Sequence, residues 1–302
     1  MAPHSYRWWY VDGLSADGHH GITLIAFLGS VFSPYYAWDR RVGQGDPLDH
    51  CAVNVALYGG ASQRWAMTER GRKRLVRDAT SLAIGPSSLE WDGTTLTIRV
   101  DEWTAPWPSR VRGVVRVKAA ALTERTFELD PAGRHRWRPV APCSTIEVEL
   151  TDPALRWSGP AYFDINMGEE PLERAFSHWD WSRAVTPRGT AILYDVQRRS
   201  GDDLAIAMMV DRTGRIEQLD CPPATTLPKT LWRMPRKTRA DAGHGPSVRQ
   251  TLEDAPFYAR SLLASQLGGS PVLAIHESLS LDRFRAAWVQ ALLPFRMPRF
   301  DR

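Results

Sequence analysis

Two short segments of the sequence place an acid, an imidazole and aromatic groups at a spacing that suits proton chemistry. They are Tyr162-x-Asp164 and His135-x-Trp137. Residues two apart on a β-strand point to the same face, so each pair shares a face. Burial among aromatic side chains raises the pKa of an aspartic acid, because it disfavours the charged form. We predict that the two pairs meet in one apolar cavity, where Asp164 protonates a carbon–carbon double bond.

Protonation of an alkene leaves a carbocation, which needs stabilisation in a dry site. Aromatic faces attract cations, and the attraction is worth about 2 kcal/mol or more when it is desolvated. Four aromatic residues are available for this role: Trp137, Tyr162, Trp179 and Trp181. His135 is flanked by two arginines, whose charges lower an imidazole pKa, so we expect a neutral ring that orients the acid or a water.

Further candidates for substrate binding lie in the next segments of the chain: Trp179, Trp181, Tyr194 and Asp195. Strand alternation puts His178 and Asp180 on the face opposite the two tryptophans. We expect the tryptophans to face inward, and His178 and Asp180 to face outward or towards the other domain. Asp180 either forms a structural ion pair with Arg183 or serves as a second acid. Asp195 is the alternative candidate for the acid if Asp164 does not serve.

The composition is that of a globular protein with an unusual aromatic content. The 302 residues are 43% hydrophobic and 24% charged, with 13 Trp and a net charge of +4. The tryptophan excess suggests an aromatic-lined interior or a contact with an apolar partner. A basic surface suits either solvent or an anionic membrane. We expect no nucleic-acid partner, because no basic run accompanies a nucleic-acid motif.

Cofactor and metal signals are missing from the sequence. The three cysteines form no Cys-x-x-Cys pair, and the histidines lack metal-ligand spacing. The glycines match neither a phosphate loop nor a dinucleotide fingerprint. The N-terminus has no signal-peptide core, and the longest apolar run, Ile22 to Phe32, is shorter than the about 20 residues of a membrane span. We expect a cytoplasmic protein without metal or cofactor.

Most of the chain divides into short segments rich in Val, Ile, Thr and aromatic residues, separated by Gly, Pro, Asp and Ser. Many short strands at this spacing are typical of a β-barrel or sandwich. No long segment before residue 250 has helical periodicity. The break at Thr151-Asp152-Pro153 suggests two domains, residues 1–150 and 151–302. The Pro/Gly-rich segment from Cys221 to Pro246 predicts a long basic surface loop.

The C-terminal segment has the pattern of an amphipathic helix. Apolar residues recur every three or four positions, at Leu281, Phe284, Trp288, Leu292 and Phe295, and arginines surround them at Arg283, Arg285, Arg296, Arg299 and Arg302. Such a helix either caps a barrel or lies on a membrane surface, where apolar burial and arginine charge both favour binding. The second interpretation places the protein peripherally on the inner face of a membrane.

Four stretches of the sequence carry a resemblance to a known family: Tyr35 to Trp38, His50 to Gly59, Trp65 to Gly71 and Tyr162 to Arg183. Through these stretches the chain resembles the carotenoid 1,2-hydratase family, the hydroxyneurosporene synthases, from about residue 7 to about residue 280. The resemblance implies an all-β fold of two tandem lipocalin-like β-barrel domains. It implies hydration of the terminal double bond of an acyclic carotene, such as neurosporene or lycopene, with water as the second substrate. It also implies that His135, Trp137, Tyr162 and Asp164 act in the reaction.

Two other functions suit the same residues. A lipocalin-like cyclase can use the same acid and aromatic lining to close a terpenoid ring if water is excluded. A lipocalin-like carrier can bind a lipid or carotenoid without reacting it. Product analysis distinguishes the three functions. A hydratase gives a linear alcohol, a cyclase gives a ring, and a carrier binds pigment without turnover.

Overall fold

A computed structural model describes residues 1–300, and Arg302 of the C-terminal arginines lies outside the described residues. These residues form 22 strands and four α-helices, which confirms the all-β class. The strands are β1 (Tyr6–Leu14), β2 (Gly21–Leu28), β3 (Cys51–Tyr58), β4 (Arg64–Arg70), β5 (Leu75–Arg77), β6 (Ser81–Ile84), β7 (Ser87–Trp91), β8 (Thr95–Trp103), β9 (Arg110–Ala119), β10 (Phe127–Glu128), β11 (His135–Asp152), β12 (Ala154–Gly168), β13 (Phe176–Thr186), β14 (Gly189–Arg198), β15 (Leu204–Val210), β16 (Ile216–Gln218), β17 (Ala224–Leu227), β18 (Arg236–Arg239), β19 (Ser247–Asp254), β20 (Tyr258–Leu267), β21 (Ser270–Ser280) and β22 (Arg299–Phe300). The helices are α1 (Pro34–Arg41), α2 (Leu172–Ala175), α3 (Leu281–Phe284) and α4 (Ala287–Leu292).

The chain forms two compact units. The first contains Met1–Glu128, Ala132–Pro171 and the residues from Gln290 onward, and the second contains Leu129–Pro131 and Leu172–Val289. The boundary expected near residue 150 falls inside the first unit in this division. The physical reason is that β12 pairs with β11 on one side and with β1 on the other.

A single 13-stranded sheet builds the first unit, in the order β22-β4-β3-β2-β1-β12-β11-β9-β8-β7-β6-β5, with β10 beside β11. Its apolar side chains form one buried cluster that includes Val11, Val55, Ile98 and Phe163. Strands β4 and β8 are far apart in this order, yet Arg70 on β4 donates to Glu102 on β8 at 2.8 and 3.1 Å. The sheet therefore curls back on itself around the apolar cluster.

Strand β11 is long because it passes through two irregularities instead of ending. The sequence suggests a break at Ala141-Pro142, but the strand continues from His135 to Asp152. Its register against β12 shifts between Arg138 and Ala141 and again between Ala141 and Ser144. Proline cannot donate to a sheet, and bulges are where strands accommodate it. The bulges place the His135 end of β11 between β10 and β12.

A seven-stranded sheet builds the second unit, in the order β16-β15-β14-β13-β21-β20-β19. A separate buried cluster, including Ala184, Leu193 and Leu263, packs against it. The segment expected to be a long loop, Cys221 to Pro246, contains the hairpin of β17 and β18. Strand β18 is fixed by Arg236, whose side chain donates to the hydroxyl of Ser261 at 2.7 Å. That tertiary contact explains why a segment with a loop-like composition is ordered as a strand.

The helical parts differ from the sequence expectations at both ends of the chain. Helix α1 has a regular start, because Ser33 accepts a hydrogen bond from the Tyr36 amide and Pro34 occupies the first turn. At the C-terminus, two short helices replace the single amphipathic helix. Leu281 on α3 is buried, whereas Leu292 at the end of α4 is exposed. The expected apolar face is therefore divided between the interior and the surface.

The Arg70–Glu102 pair should be critical for stability, because it is buried and joins distant strands. We expect Arg70→Met to lower the free energy of unfolding by about 3–5 kcal/mol, the usual cost of leaving a buried charge unpaired. Burial already raises the pKa of Glu102, and Arg70 opposes that rise. Protonation removes the buried charge, so the deficit should shrink as the pH falls towards the ordinary pKa of glutamate.

Urea unfolding at pH 8 and pH 5 measures this effect. The matched control is Arg116→Met, which removes a solvent-exposed ion pair with Glu149. Water screens such a pair, so the control should change stability little. Equal stability of the Arg70 and Arg116 variants would contradict the role of the buried pair.

Candidate active site

The candidate site lies on one face of three neighbouring strands, β1, β12 and β11. Tyr162, Asp164 and Asn166 alternate along β12 and share this face. Opposite them, Tyr10 on β1 pairs with Asp164, and Trp137 on β11 pairs with Asn166. Phe163, on the other face of β12, packs in the apolar cluster of the first unit. The Asp164 face is therefore the face turned away from that cluster, and it carries a mixture of polar and aromatic groups.

Asp164 is held by neutral donors from two strands. The indole Nε1 of Trp137 and the hydroxyl of Tyr162 each donate to its Oδ2 at 2.9 Å, and the amide of Asn166 donates to its Oδ1 at 3.1 Å. Only 4% of the residue is exposed. Bonds of this kind compensate a carboxylate for lost hydration. The structure thus brings Asp164, Tyr162 and Trp137 into direct contact, as expected from the sequence.

Tyr162 is fully buried beside two acidic residues. Burial raises the pKa of Tyr162 well above its ordinary value, and the negative charges of Asp164 and Asp12 raise it further. The phenol therefore keeps its proton through the neutral range and remains a donor to Asp164. Phe127 on β10 packs against the Trp137 ring at a centroid distance of 5.4 Å. The ring that donates to Asp164 is thereby fixed in orientation.

His135 lies on the same face, two residues before Trp137 at the start of β11. Its Nδ1 is 2.8 Å from the hydroxyl of Tyr6, and its Nε2 is 3.5 Å from a carboxylate oxygen of Glu170. Gly168 is opposite His135 in the sheet. A Cβ at Gly168 would come within 2.3 Å of the Tyr6 ring, so only glycine leaves room for this contact. His135 is thus oriented by its neighbours within the site face.

The sequence interpretation missed a second acid on this face. Asp12 on β1 is fully buried, and its Oδ2 accepts a hydrogen bond from Tyr10 at 2.8 Å. It lies directly opposite Tyr162 in the sheet. The signal was available, because Tyr10-x-Asp12 has the same spacing as Tyr162-x-Asp164.

The remaining candidates belong to the second unit, where each has its own contacts. Asp195 forms a two-pronged ion pair with Arg239, at 2.7 and 2.9 Å. The Trp179 and Tyr194 rings meet edge to face at 6.2 Å, and Trp181 is buried. The substrate-binding roles of these residues stay predictions. Their described contacts are those of a packed interior.

His178 and Asp180 do not face solvent, in contrast to one of the two orientations expected for them. Both are buried, as are Trp179 and Trp181, because β13 is central in its sheet. Asp180 accepts hydrogen bonds from the hydroxyl of Ser278 at 2.5 Å and from the Lys237 amide at 3.3 Å. The Nε2 atom of His178 is 3.2 Å from the other carboxylate oxygen of Asp180.

Three of the stretches that carry the family resemblance meet at a different place in the first unit. His50 bridges Glu69 at 2.8 Å and Asp39 at 3.0 Å, and Arg299 also pairs with Glu69. The Tyr36 ring stacks on His50. A cavity of about 1060 Å³ lies beside this cluster, bordered by side chains that include Trp38, Asp39 and Arg299. These stretches therefore tie α1 and the C-terminal strand to the sheet.

The arrangement on β1, β12 and β11 can perform acid–base chemistry. It offers two carboxyl groups, a phenol that stays protonated, and aromatic rings in contact with one of the acids. Within residues 1–300, no group of three or more His, Cys, Asp or Glu side chains is placed to hold a metal ion. Because three donors are directed at the Asp164 carboxyl group, the candidate site is best described as an acid with positioned donors.

Comparison with known proteins shows which family the chain resembles. Residues 24–302 match the family described as carotenoid hydratase CrtC. The chain is 59% identical over 300 residues to the acyclic carotenoid 1,2-hydratase of Thiocapsa roseopersicina, and 51% identical over 302 residues to that of Rubrivivax gelatinosus. Each alignment covers 99% of this chain and 74% of the relative.

A solved structure supports the fold. The crystal structure of kievitone hydratase from Nectria haematococca superimposes with a TM-score of 0.58, covering 93% of this chain and 90% of that one. At 11% identity this likeness concerns the fold alone, and it agrees with the lipocalin-like all-β class expected from the sequence. With the family match over nearly the whole sequence, the conclusion is that the chain belongs to the carotenoid hydratase CrtC family.

Proposed function

We propose that this chain is an acyclic carotenoid 1,2-hydratase, which adds water to the terminal double bond of an acyclic carotene such as neurosporene or lycopene. The observation that carries the proposal is the contact of Trp137 and Tyr162 with the carboxyl group of Asp164. The family to which the chain belongs supports the choice of substrate. Hydration involves no net oxidation or reduction, so the proposed reaction needs no redox cofactor.

The first step is proton transfer from Asp164 to the terminal double bond. An isolated alkene is a weak base, so its protonation requires a strong acid in a dry site. Asp164 is buried, and three neutral donors are already directed at its oxygens. These donors stabilise the carboxylate that remains after the proton has left, which lowers the barrier to transfer. Burial keeps competing water away from the acid.

The second step is capture of the tertiary cation by water. The faces of Trp137 and Tyr162 attract the cation, an effect worth about 2 kcal/mol or more in a desolvated site. The deprotonated Asp164, or His135 held by Tyr6, is proposed to orient the water. Addition of this water to the cation gives a tertiary alcohol.

Product analysis tests the proposed reaction directly. The purified protein is incubated with lycopene or neurosporene, without added cofactor, in water enriched in heavy oxygen. We expect a linear carotenoid that carries one labelled hydroxyl group for each end hydrated, because the oxygen comes from the solvent. A cyclic product would indicate a cyclase, and bound but unchanged carotene would indicate a carrier.

Asp164→Asn tests the acid. Asparagine has a similar shape but no acidic proton, so we expect hydration to become undetectable while the circular dichroism spectrum and the unfolding midpoint remain close to those of the unaltered protein. The matched control is Asp101→Asn, which removes a carboxylate that is ion-paired with Arg110 and has no proposed role in the site. Turnover by the Asp164 variant would overturn the assignment of Asp164 as the acid.

We also propose that the protein binds peripherally to an anionic membrane surface, where its apolar substrate resides. Among residues 1–300, no helix has the length and apolarity needed to cross a membrane. The second unit instead presents exposed apolar side chains: Leu231 is 97% exposed, Trp232 47% and Trp288 50%. The Trp232 and Trp288 rings stack at 6.1 Å. We call Leu231, Trp232 and Trp288 the apolar tip.

The apolar tip is held in an exposed position by its surroundings. The guanidinium of Arg283 donates to the carbonyl oxygens of Trp232 at 2.7 Å and of Arg233 at 3.1 Å. These hydrogen bonds fix the backbone that carries Trp232. Lys229 and Arg233 flank Leu231 and Trp232 in the sequence, Arg285 precedes Trp288 by three residues, and all three cations are exposed. Apolar side chains beside cations match the interface of an anionic lipid bilayer.

Vesicle sedimentation tests the membrane contact without any carotene. The double variant Leu231→Ser/Trp232→Ser should bind vesicles that contain phosphatidylglycerol about tenfold or more weakly, since burial of one such side chain contributes about 1.5–3 kcal/mol. The control is Trp107→Ser, which removes a tryptophan of the first unit that is 84% exposed. Equal binding by all three proteins, or a tip-dependent dimer in place of vesicle binding, would refute the proposal.

A further inference from the structure

We propose that Asp12 is a second catalytic carboxylate of the site, the base that removes a proton from the water that captures the cation. This role rests on the hydration proposed above, whose mechanism names no base for the proton of the attacking water. Water that adds to a carbocation must lose a proton, and a base positioned for that proton accelerates the step. Asp12 is buried on the site face and is not otherwise used in the mechanism.

The first argument is that the site contains the same motif twice. In Tyr10-x-Asp12 and in Tyr162-x-Asp164, the tyrosine hydroxyl donates to the aspartate two residues later, at 2.8 and 2.9 Å. The two strands are antiparallel, so Tyr10 lies opposite Asp164 and Asp12 lies opposite Tyr162. The Tyr10 and Tyr162 rings meet edge to face at 6.2 Å. The site face therefore carries two Tyr–Asp pairs in opposite orientations.

The second argument is the separation of the two acids. Asp12 and Asp164 are diagonal neighbours across the strand pair, a relation that sets Cα atoms about 7–8 Å apart. Tyr162 lies directly opposite Asp12 in the sheet and its hydroxyl donates to Asp164, so the Tyr162 side chain is next to both acids.

The full cycle then balances in atoms and charge. Asp164 gives its proton to one alkene carbon, and the electron pair of the double bond forms the new C–H bond. The neighbouring carbon becomes a cation, and a lone pair of water forms the C–O bond. Asp12 accepts the proton that this water loses, so the alcohol leaves neutral. The proton returns to Asp164 through the hydroxyl of Tyr162, which donates to Asp164.

Steady-state kinetics of Asp12→Asn tests the proposal. Loss of a general base should lower kcat by about 10²–10⁴-fold, whereas KM should change little because the carotene contacts remain. Asp12→Glu restores a carboxylate and should recover part of kcat. The matched control is Glu102→Gln, which also removes a fully buried carboxyl group but one that is paired with Arg70. Its kcat per folded molecule should equal that of the unaltered protein.

Turnover in D₂O separates a base from a structural residue. In Asp12→Asn, Asp164 still delivers a deuteron to the CH carbon of the double bond. The cation that water fails to capture loses a methyl proton to the Asp164 carboxylate, which gives a carotene isomer with an isopropenyl end and deuterium on the adjacent carbon. The recovered carotene should therefore gain deuterium, whereas with Asp164→Asn it should gain none.

Three results would overturn the inference. A kcat of Asp12→Asn equal to that of Glu102→Gln would exclude a role in the reaction. Loss of hydration without deuterium entry would mean that Asp12 supports the acid and is not the base. If Asp12→Asn fails to fold, an Asp12→Ser variant with unchanged kcat would have the same meaning, because serine also lacks a carboxylate. An unaltered protein that hydrates no carotene would overturn the proposed function as well, whereas the first two results leave that function intact.

Discussion

The register of β12 between β1 and β11 controls the chemistry of the first unit. Antiparallel pairing places Tyr10 opposite Asp164 and Trp137 opposite Asn166, so side chains from three distant parts of the sequence share one face. A shift by one residue would turn Phe163 onto that face and Asp164 into the apolar cluster. The cost of burying Asp164 among aliphatic side chains and of exposing the apolar set penalises such a shift. The same apolar packing that stabilises the sheet therefore also specifies the site.

Buried carboxylates in this protein are stabilised in two different ways. Glu102 and Asp195 are held by arginine, through two-pronged ion pairs. Asp164 and Asp12 instead accept hydrogen bonds from indole, phenol and amide groups. An arginine partner strongly favours the charged form of a carboxyl group. The partners of Glu102 and Asp195 therefore suit a structural role, whereas the described donors to Asp164 and Asp12 agree with the proposed proton transfers.

The polar groups elsewhere in the first unit have a structural explanation. His50, Glu69 and Arg299 connect three separate segments, and their contacts close the edge of the sheet at β22 and β4. His50 and Glu69 belong to stretches that carry the family resemblance, yet their described contacts organise the fold. Resemblance alone therefore does not distinguish residues that act on a substrate from residues that hold the sheet together. The contacts of each side chain make that distinction.

The sequence alone determined the all-β class and the pairing of Tyr162 with Asp164, because both follow from alternation within a single strand. It also brought His135 and Trp137 forward, through their spacing and the family resemblance. It did not reveal that β11 continues through two bulges, that the segment from Cys221 to Pro246 contains a hairpin, or that the C-terminal pattern is divided between two helices. Local composition is ambiguous at these places, and tertiary contacts such as that of Arg236 with Ser261 decide the conformation. Only the tertiary structure showed Asp12 opposite Tyr162, because cross-strand register depends on which strands pair, and residues more than a hundred positions apart in the chain carry no local signal of that pairing.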